Sequence, residues 1–429
     1  MGTNEDLSEN GAGRSRPRRL LICLDGVPYE VIADAKGRGL FAQFNAPSRL
    51  LSPFPTMTNV ALSLMLGATA PLGYESLYFD RRVKQLRGGV RKYMNWRRTP
   101  ANIPSSYMDD LDYQEPLPFE FLIYVAPQRV WRADFARFRE RFRAAPQTRD
   151  YFAFLKGTDG LLHICGRRHL DVALESLDQI LREINSFCGT ETEIVLFSDH
   201  GMNLRENQRS HLQTHLRRRN YAITGRLNGR RARDVVVPAF GLCGYAAAYC
   251  APELVTSLAA DLAELRGVDF TIHREGGTVV VTSAARGVAR LHRRADGEGA
   301  SFRYEPVGGG DPLRLAQIVE SMSCDGLFDA ERYASDEAWR ERTAEHIYPD
   351  ALANLYCALH APHIQHPADV LASFEDGYYY GSSLFSRIVR IAATHGNAMR
   401  ASSTAFLMST HRDFAPHVRA AEVRPLLKG

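Results

Sequence analysis

Hydrophobic residues along this chain alternate between two spacings. Continuous apolar runs open "RRLLICLDGVP" (18–28), "YFAFLKGTDGLLH" (151–163) and "TEIVLFSDHG" (192–201), and Ile194, Val195, Leu196 and Phe197 suit a strand buried on both faces. "RHLDVALESLDQILREINSF" (168–187) instead places Leu170, Ala173, Leu174, Leu177, Ile180, Leu181 and Ile184 at helical spacing. "PTMTNVALSLMLGATAPLGY" (55–74) predicts a turn followed by an apolar helix that ends near Gly67. Strand, helix and strand in succession predict an α/β fold, with a mostly parallel central sheet sandwiched by helices.

Two stretches break the rhythm. Residues 81–149, rich in Arg, aromatics and Pro, read as a cap-like insertion, with Trp96 and Trp131 available to line a pocket. Residues 234–310 carry short β-like runs around an "EGG" turn and read as a smaller β-rich subregion. The polar start, 1–17, reads as a disordered tail, and no apolar run approaches the length of a signal peptide or membrane span.

Composition changes this picture little. At 45% hydrophobic and 24% charged residues the chain is globular, and a net charge of +4 argues against a nucleic acid polymer as partner. The seven cysteines are scattered without a C-x-x-C pair and read as buried free thiols, so a cytoplasmic protein is expected. Neither a membrane partner nor a particular oligomer is indicated, and a homodimer stays open.

The candidate chemistry lies where apolar runs stop. Asp25, then Asp159 and His163, then Asp199 and His200 follow three strands, and His395 ends "AATHG". Ligand sites of open α/β sheets sit at such strand ends. Each residue alone is equally well a polar turn residue; together they form a mixed oxygen and nitrogen set suited to zinc or manganese. D-x-x-x-H spacing sets Asp159 and His163 on one face of a turn or helix. Thr56 and Thr58 stand at an expected helix N-terminus, where backbone N–H groups suit phosphoryl oxygens.

In this order, "LDG", "FPTMTN", "TDGLLH", "SDHGM" and "THGN" resemble the alkaline phosphatase superfamily, and within it the type I phosphodiesterase/nucleotide pyrophosphatase branch. The resemblance implies an alkaline phosphatase-like core over 18–80, 150–233 and 311–420. It implies two divalent metal ions, zinc first and manganese as alternative. Asp159, His163 and His395 would hold one; Asp25, Asp199, His200 and Thr58 would hold the other. The implied nucleophile is Thr58, with Thr56 as rival. The implied activity is hydrolysis of a small-molecule phosphate ester, a phosphodiester foremost. A phosphomonoesterase, phosphomutase or phosphonate hydrolase on the same site, or a non-catalytic binding relative, are the alternatives.

The chain departs from the family in two places. It lacks the C-x-P-x-R context of sulfatases, and "TNVALSLML" replaces the F-P-N-H that follows the nucleophile in the nucleotide branch. Asn59 then either donates to phosphate or caps the helix. His211, His215, His360, His363 and His366 read as helix-face or loop residues, the Arg run "RFRERFRAA" as a solvated helix face, and "FEDGYYYGSS" as a packed loop or an aromatic stacking surface.

Overall fold

The computed structural model describes residues 18–89, 106–116, 119–123, 125–189, 191–229, 231–297, 299–360, 363–383, 386 and 390–428. The expected tail over 1–17 and Trp96 lie outside these residues.

The apolar runs form a seven-stranded sheet in the order His417–Arg419, Ser48–Leu51, Thr404–Ser409, Glu193–Ser198, Arg19–Leu24, Tyr151–Leu155 and Tyr113–Gln114. Arg19–Leu24 runs parallel to both of its neighbours, and Thr404–Ser409 runs antiparallel to both of its own. All six residues of Arg19–Leu24 and of Glu193–Ser198 are buried, as strands covered on both faces require.

Helices supply the two covering layers. On one face Arg167–Cys188 presents Leu170, Leu174, Leu177, Leu181 and Ile184, all fully buried. Each such side chain contributes roughly 1.5–3 kcal/mol relative to exposure. Pro127–Ala144 joins this layer through Trp131, Phe135, Phe138 and Phe142, so Trp131 fills the core beside the sheet. The Arg run lies on this helix's outer side, where Arg139 and Arg143 reach Glu183 at 3.3 and 3.5 Å. On the opposite face Thr58–Leu66 packs Ala61, Leu62 and Met65 against the strands and stops at Gly67, whose φ of 59° is a left-handed helix cap.

A second sheet has nine strands: Ala334–Ser335, Gly299–Val307, Gly287–Asp296, Thr278–Ser283, Val268–Glu275, Val370–Phe374, Tyr245–Cys250, Asp234–Val236 and Ala222–Ile223. It reaches beyond 234–310 in both directions. Val370–Phe374 enters it between Val268–Glu275 and Tyr245–Cys250 because all five of its residues are apolar or small and buried on both faces. A three-stranded sheet of Leu242–Cys243, Tyr378–Gly381 and Gln208–Arg209 buries Tyr379 and Tyr380. All seven cysteines are free; Cys23, Cys243 and Cys250 are buried, whereas Cys324 is exposed. No helix among the described residues is long and apolar enough to cross a membrane.

Candidate metal centre

Parallel register brings the strand ends to one level. Leu24 pairs with both Leu155 and Ser198, so Asp25 and Asp199 leave adjacent strands side by side. Gly157–Cys165 starts two residues after Leu155 and carries Asp159 in its first turn and His163 one turn later. Their spacing puts His163 Nε2 3.3 Å from Asp159 Oδ1. His395 arrives from the C-terminal part of the chain, with Nε2 3.7 Å from Asp159 Oδ1.

Each histidine is oriented by a backbone carbonyl. The Nδ1 atoms of His163, His200 and His395 lie 2.7, 2.9 and 2.7 Å from the oxygens of Ala393, Gly201 and Thr56. A carbonyl only accepts, so Nδ1 carries the proton, and on a neutral ring Nε2 then presents the lone pair that metal ligation requires. At His163 the lowering effect of burial is outweighed by Asp159, which raises the pKa of the ring. The His200 and His395 rings stack at 4.0 Å.

The donors form two groups whose ligand atoms all lie within 4.8 Å of one another: Asp25, Asp199 and His200, and Asp159, His200 and His395. His200 belongs to both, and His163 adjoins the second through Asp159.

Electrostatics in this cluster are unbalanced without a cation. Burial, then the charges of Asp199 and Asp159, push the Asp25 carboxyl far up. Burial raises Asp199 to about 7, with Asp159 adding to the effect. Burial acts upward on Asp159 too, but His163, His395 and His200 overcome it and hold this carboxyl below its ordinary range. Burial drives His200 down to about 4 and, with the neighbouring His200, His395 to about 3. Asp159 Oδ1 and Asp199 Oδ2 are buried with no hydrogen-bond partner. Orphaned buried oxygens facing imidazole lone pairs fit divalent cations with mixed oxygen and nitrogen ligands.

Thr58 is the first residue of its helix, and its Oγ1 lies 3.3 Å from both Asp25 Oδ1 and His200 Nε2. Thr56 is fully buried and otherwise engaged. Its hydroxyl accepts from Gly396 N at 2.7 Å and donates to Asn397 O at 3.3 Å. No side chain caps the helix. Asn59 instead accepts from Tyr107 Oη at 3.3 Å.

Sequence reasoning missed the braces. Ser198 Oγ accepts from Val27 N and donates to the carbonyl of His200, at 2.9 and 2.8 Å. Thr158 donates to the carbonyl of Asp25 at 2.7 Å, and Ser52 to that of Asp199 at 2.6 Å. Ser198 and Thr158 adjoin ligand positions in sequence, which is a usable signal; Ser52 and Tyr107 offer none. Gly26 has φ of 72°, and a Cβ there would sit 2.9 Å from Asp159 Oδ1, so only glycine fits.

The remaining candidates lie elsewhere. His215 bonds to the carbonyl of Asp261 at 2.6 Å, His360 stacks on Tyr356, and His366 stacks on Tyr78. In "FEDGYYYGSS", Asp376 accepts from Asn397 Nδ2 at 2.9 Å and supports the loop that carries His395.

No family model matches the chain, and no curated protein matches it. Among solved structures it is similar to phosphonoacetate hydrolase from Sinorhizobium meliloti 1021 in complex with phosphonoformate. That match has 13% identity and a TM-score of 0.50, and covers 98% of each chain. It is also similar to an inactive variant of murine ectonucleotide pyrophosphatase/phosphodiesterase 5 in complex with AMP, at 11% identity and a TM-score of 0.50, covering 96% of this chain and 94% of that one. At such identities the likeness establishes the fold alone: the chain shares the α/β architecture of these two proteins over nearly its whole length.

Proposed function

We propose that the chain is a metal-dependent hydrolase of small phosphate esters, phosphodiesters foremost, with Thr58 as nucleophile. The observation that carries this reading is the Thr58 hydroxyl, 3.3 Å from Asp25 and His200 at a helix N-terminus. Asp159, His163 and His395 would hold one divalent cation, zinc or manganese, and Asp25, Asp199, His200 and Thr58 the other. His200 Nε2 is near enough to serve both groups. Such cations supply Lewis acidity, lowering the pKa of a hydroxyl and neutralising charge on phosphoryl oxygens.

The protein's own part is positional. Asp25 and His200 aim Thr58 Oγ1 into the site, and the helix that starts there offers free N–H groups to phosphoryl oxygens. Thr58 Oγ1 forms the new bond to phosphorus while the ester oxygen leaves with the bonding electron pair. The proton lost by Thr58 goes to solvent and the departing oxygen is protonated from it; water then attacks phosphorus, releases the remaining phosphate monoester from Thr58 and restores the hydroxyl. Asn59, whose oxygen accepts from Tyr107, would donate its amide N–H to the same group. Thr56, with both hydrogen-bonding roles of its hydroxyl filled, is better suited to holding the His395 loop. A non-catalytic role is disfavoured because every residue of the ligand set is present.

Hydrolysis of bis-p-nitrophenyl phosphate by Thr58→Ala and Thr56→Ala tests this. Thr58→Ala is expected to abolish turnover while retaining bound metal. Full activity in Thr58→Ala would overturn the assignment.

A further inference from the structure

The loops that carry His200 and His395 are tied to each other beside the metal centre. Asn203, shortly after His200, and Thr394, just before His395, pair as an antiparallel bridge. Asn203 N donates to the carbonyl of Thr394 at 2.8 Å, and Thr394 N donates to Asn203 Oδ1 at 3.0 Å. Asn207 adds a reciprocal amide pair: its Nδ2 donates to Asn203 Oδ1 at 3.0 Å, and its Oδ1 accepts from Asn203 Nδ2 at 3.1 Å.

A third segment joins the two loops from outside. Asp376 stands in the turn between Val370–Phe374 and Tyr378–Gly381. Its Oδ1 accepts from Asn203 Nδ2 at 3.4 Å and from Asn397 Nδ2 at 2.9 Å. One carboxylate oxygen thus receives an amide from each ligand loop. Asn397 Nδ2 spends its other proton on the carbonyl of Phe374 at 3.0 Å. Asn203 and Asn397 are 1% and 0% exposed, and every proton of both amides is used. A buried polar network that is fully satisfied is rigid, and removing its common acceptor leaves a proton on each loop unpaired.

Ring orientation alone does not fix these loops against each other. The carbonyl of Gly201 orients His200 and that of Thr56 orients His395, and neither carbonyl links the two loops. Yet the two rings stack at 4.0 Å, and His200 belongs to both donor groups. A shift of one loop against the other would therefore disturb both groups at once.

We infer that Asp376 is a positioning residue: it clasps Asn203 to Asn397 and so sets the His200 loop against the His395 loop. It acts through the ligand loops, not on the ester. The inference rests on the two-cation reading above, and its failure is distinguishable from the failure of that reading.

Titration of the metal-free protein with Mn²⁺, following free Mn²⁺ by electron paramagnetic resonance, provides the test. Asp376→Ala is expected to weaken Mn²⁺ binding about 10–100-fold, as loss of an outer partner of metal ligands does. Asp376→Asn, which keeps an oxygen for both amides, should bind Mn²⁺ nearly as the parent does. Asn203→Ala removes one of the two amides and should weaken binding in the same direction, so the test stands even if Asp376→Ala fails to fold. Tyr348→Phe deletes a buried hydrogen bond to Asp269 instead; it should lower the urea midpoint and leave Mn²⁺ binding unchanged. Parent-like binding in both Asp376→Ala and Asn203→Ala overturns the clasp. A matching loss in Tyr348→Phe overturns it too, since the effect would then be one of stability. A parent that takes up no Mn²⁺ overturns the two-cation reading, and the clasp with it.

Discussion

Buried charge is treated in opposite ways at Asp269 in the nine-stranded sheet and at the strand ends of the seven-stranded sheet. In the nine-stranded sheet Asp269 is buried but matched: Arg286 Nη2 lies 2.5 Å away and Tyr348 Oη donates at 2.6 Å. At the rim of that sheet His292 meets Glu305 at 2.6 Å. In the seven-stranded sheet Asp25, Asp159 and Asp199 meet one another and three imidazoles, and two of their oxygens have no partner. Topology explains the contrast. Antiparallel neighbours place a strand's end beside the next strand's beginning, which scatters polar residues into pairs. Parallel neighbours in register deliver their ends together, which concentrates like charges. At Asp269 the matched charge braces the scaffold, whereas the unpartnered oxygens of Asp159 and Asp199 fit a cation.

The strongest way to break this contrast is through the chemistry. Thr58→Ala is expected to lower kcat for bis-p-nitrophenyl phosphate by at least about a thousandfold, as loss of a nucleophile does, while its melting temperature stays near that of the parent. Next in size is the scaffold: Asp269→Ala strands Arg286 and should cost about 3–5 kcal/mol in urea unfolding, with kcat per folded molecule retained. A large kcat loss there would mean that the two sheets are not separable in role.

Metal content sharpens the other side. His163→Ala and His395→Ala are each expected to lower bound metal by about one equivalent, read by elemental analysis, because each removes a ligand that only one cation uses. Unchanged stoichiometry in both would show that the ligands are misassigned. The smallest effect concerns a brace. Ser198→Ala should cost about 1–3 kcal/mol by leaving Val27 N unsatisfied, and it should lower metal affinity modestly through the His200 loop.

The α/β layering was legible because the strand runs and the 168–187 helix are long and cleanly periodic. Gly67 marked the helix end correctly because only a residue tolerant of positive φ closes a helix there. Asp159 and His163 were legible as a pair because helix geometry dictates the contact between residues four apart. Tyr107 was not legible: its approach to Asn59 depends on tertiary folding across 48 residues. Nor was the clasp at Asp376, since its partners come from separate segments that no local pattern links. Trp131 looked like a pocket residue in an insertion, yet its helix repeats aromatics at a spacing that buries one face, and packing claims it.

Thr56 joins the two ends of the chain. Its carbonyl receives His395, and its hydroxyl bridges Gly396 and Asn397 across some 340 positions. Thr404–Ser409 meanwhile slots between Ser48–Leu51 and Glu193–Ser198 rather than adding at an edge. Ser48–Leu51 therefore joins Glu193–Ser198 only through a strand from the last quarter of the sequence. His395 and the strand that ties Ser48–Leu51 into the sheet thus come from one short stretch of sequence, so the candidate site and the sheet beneath it are closed by the same segment.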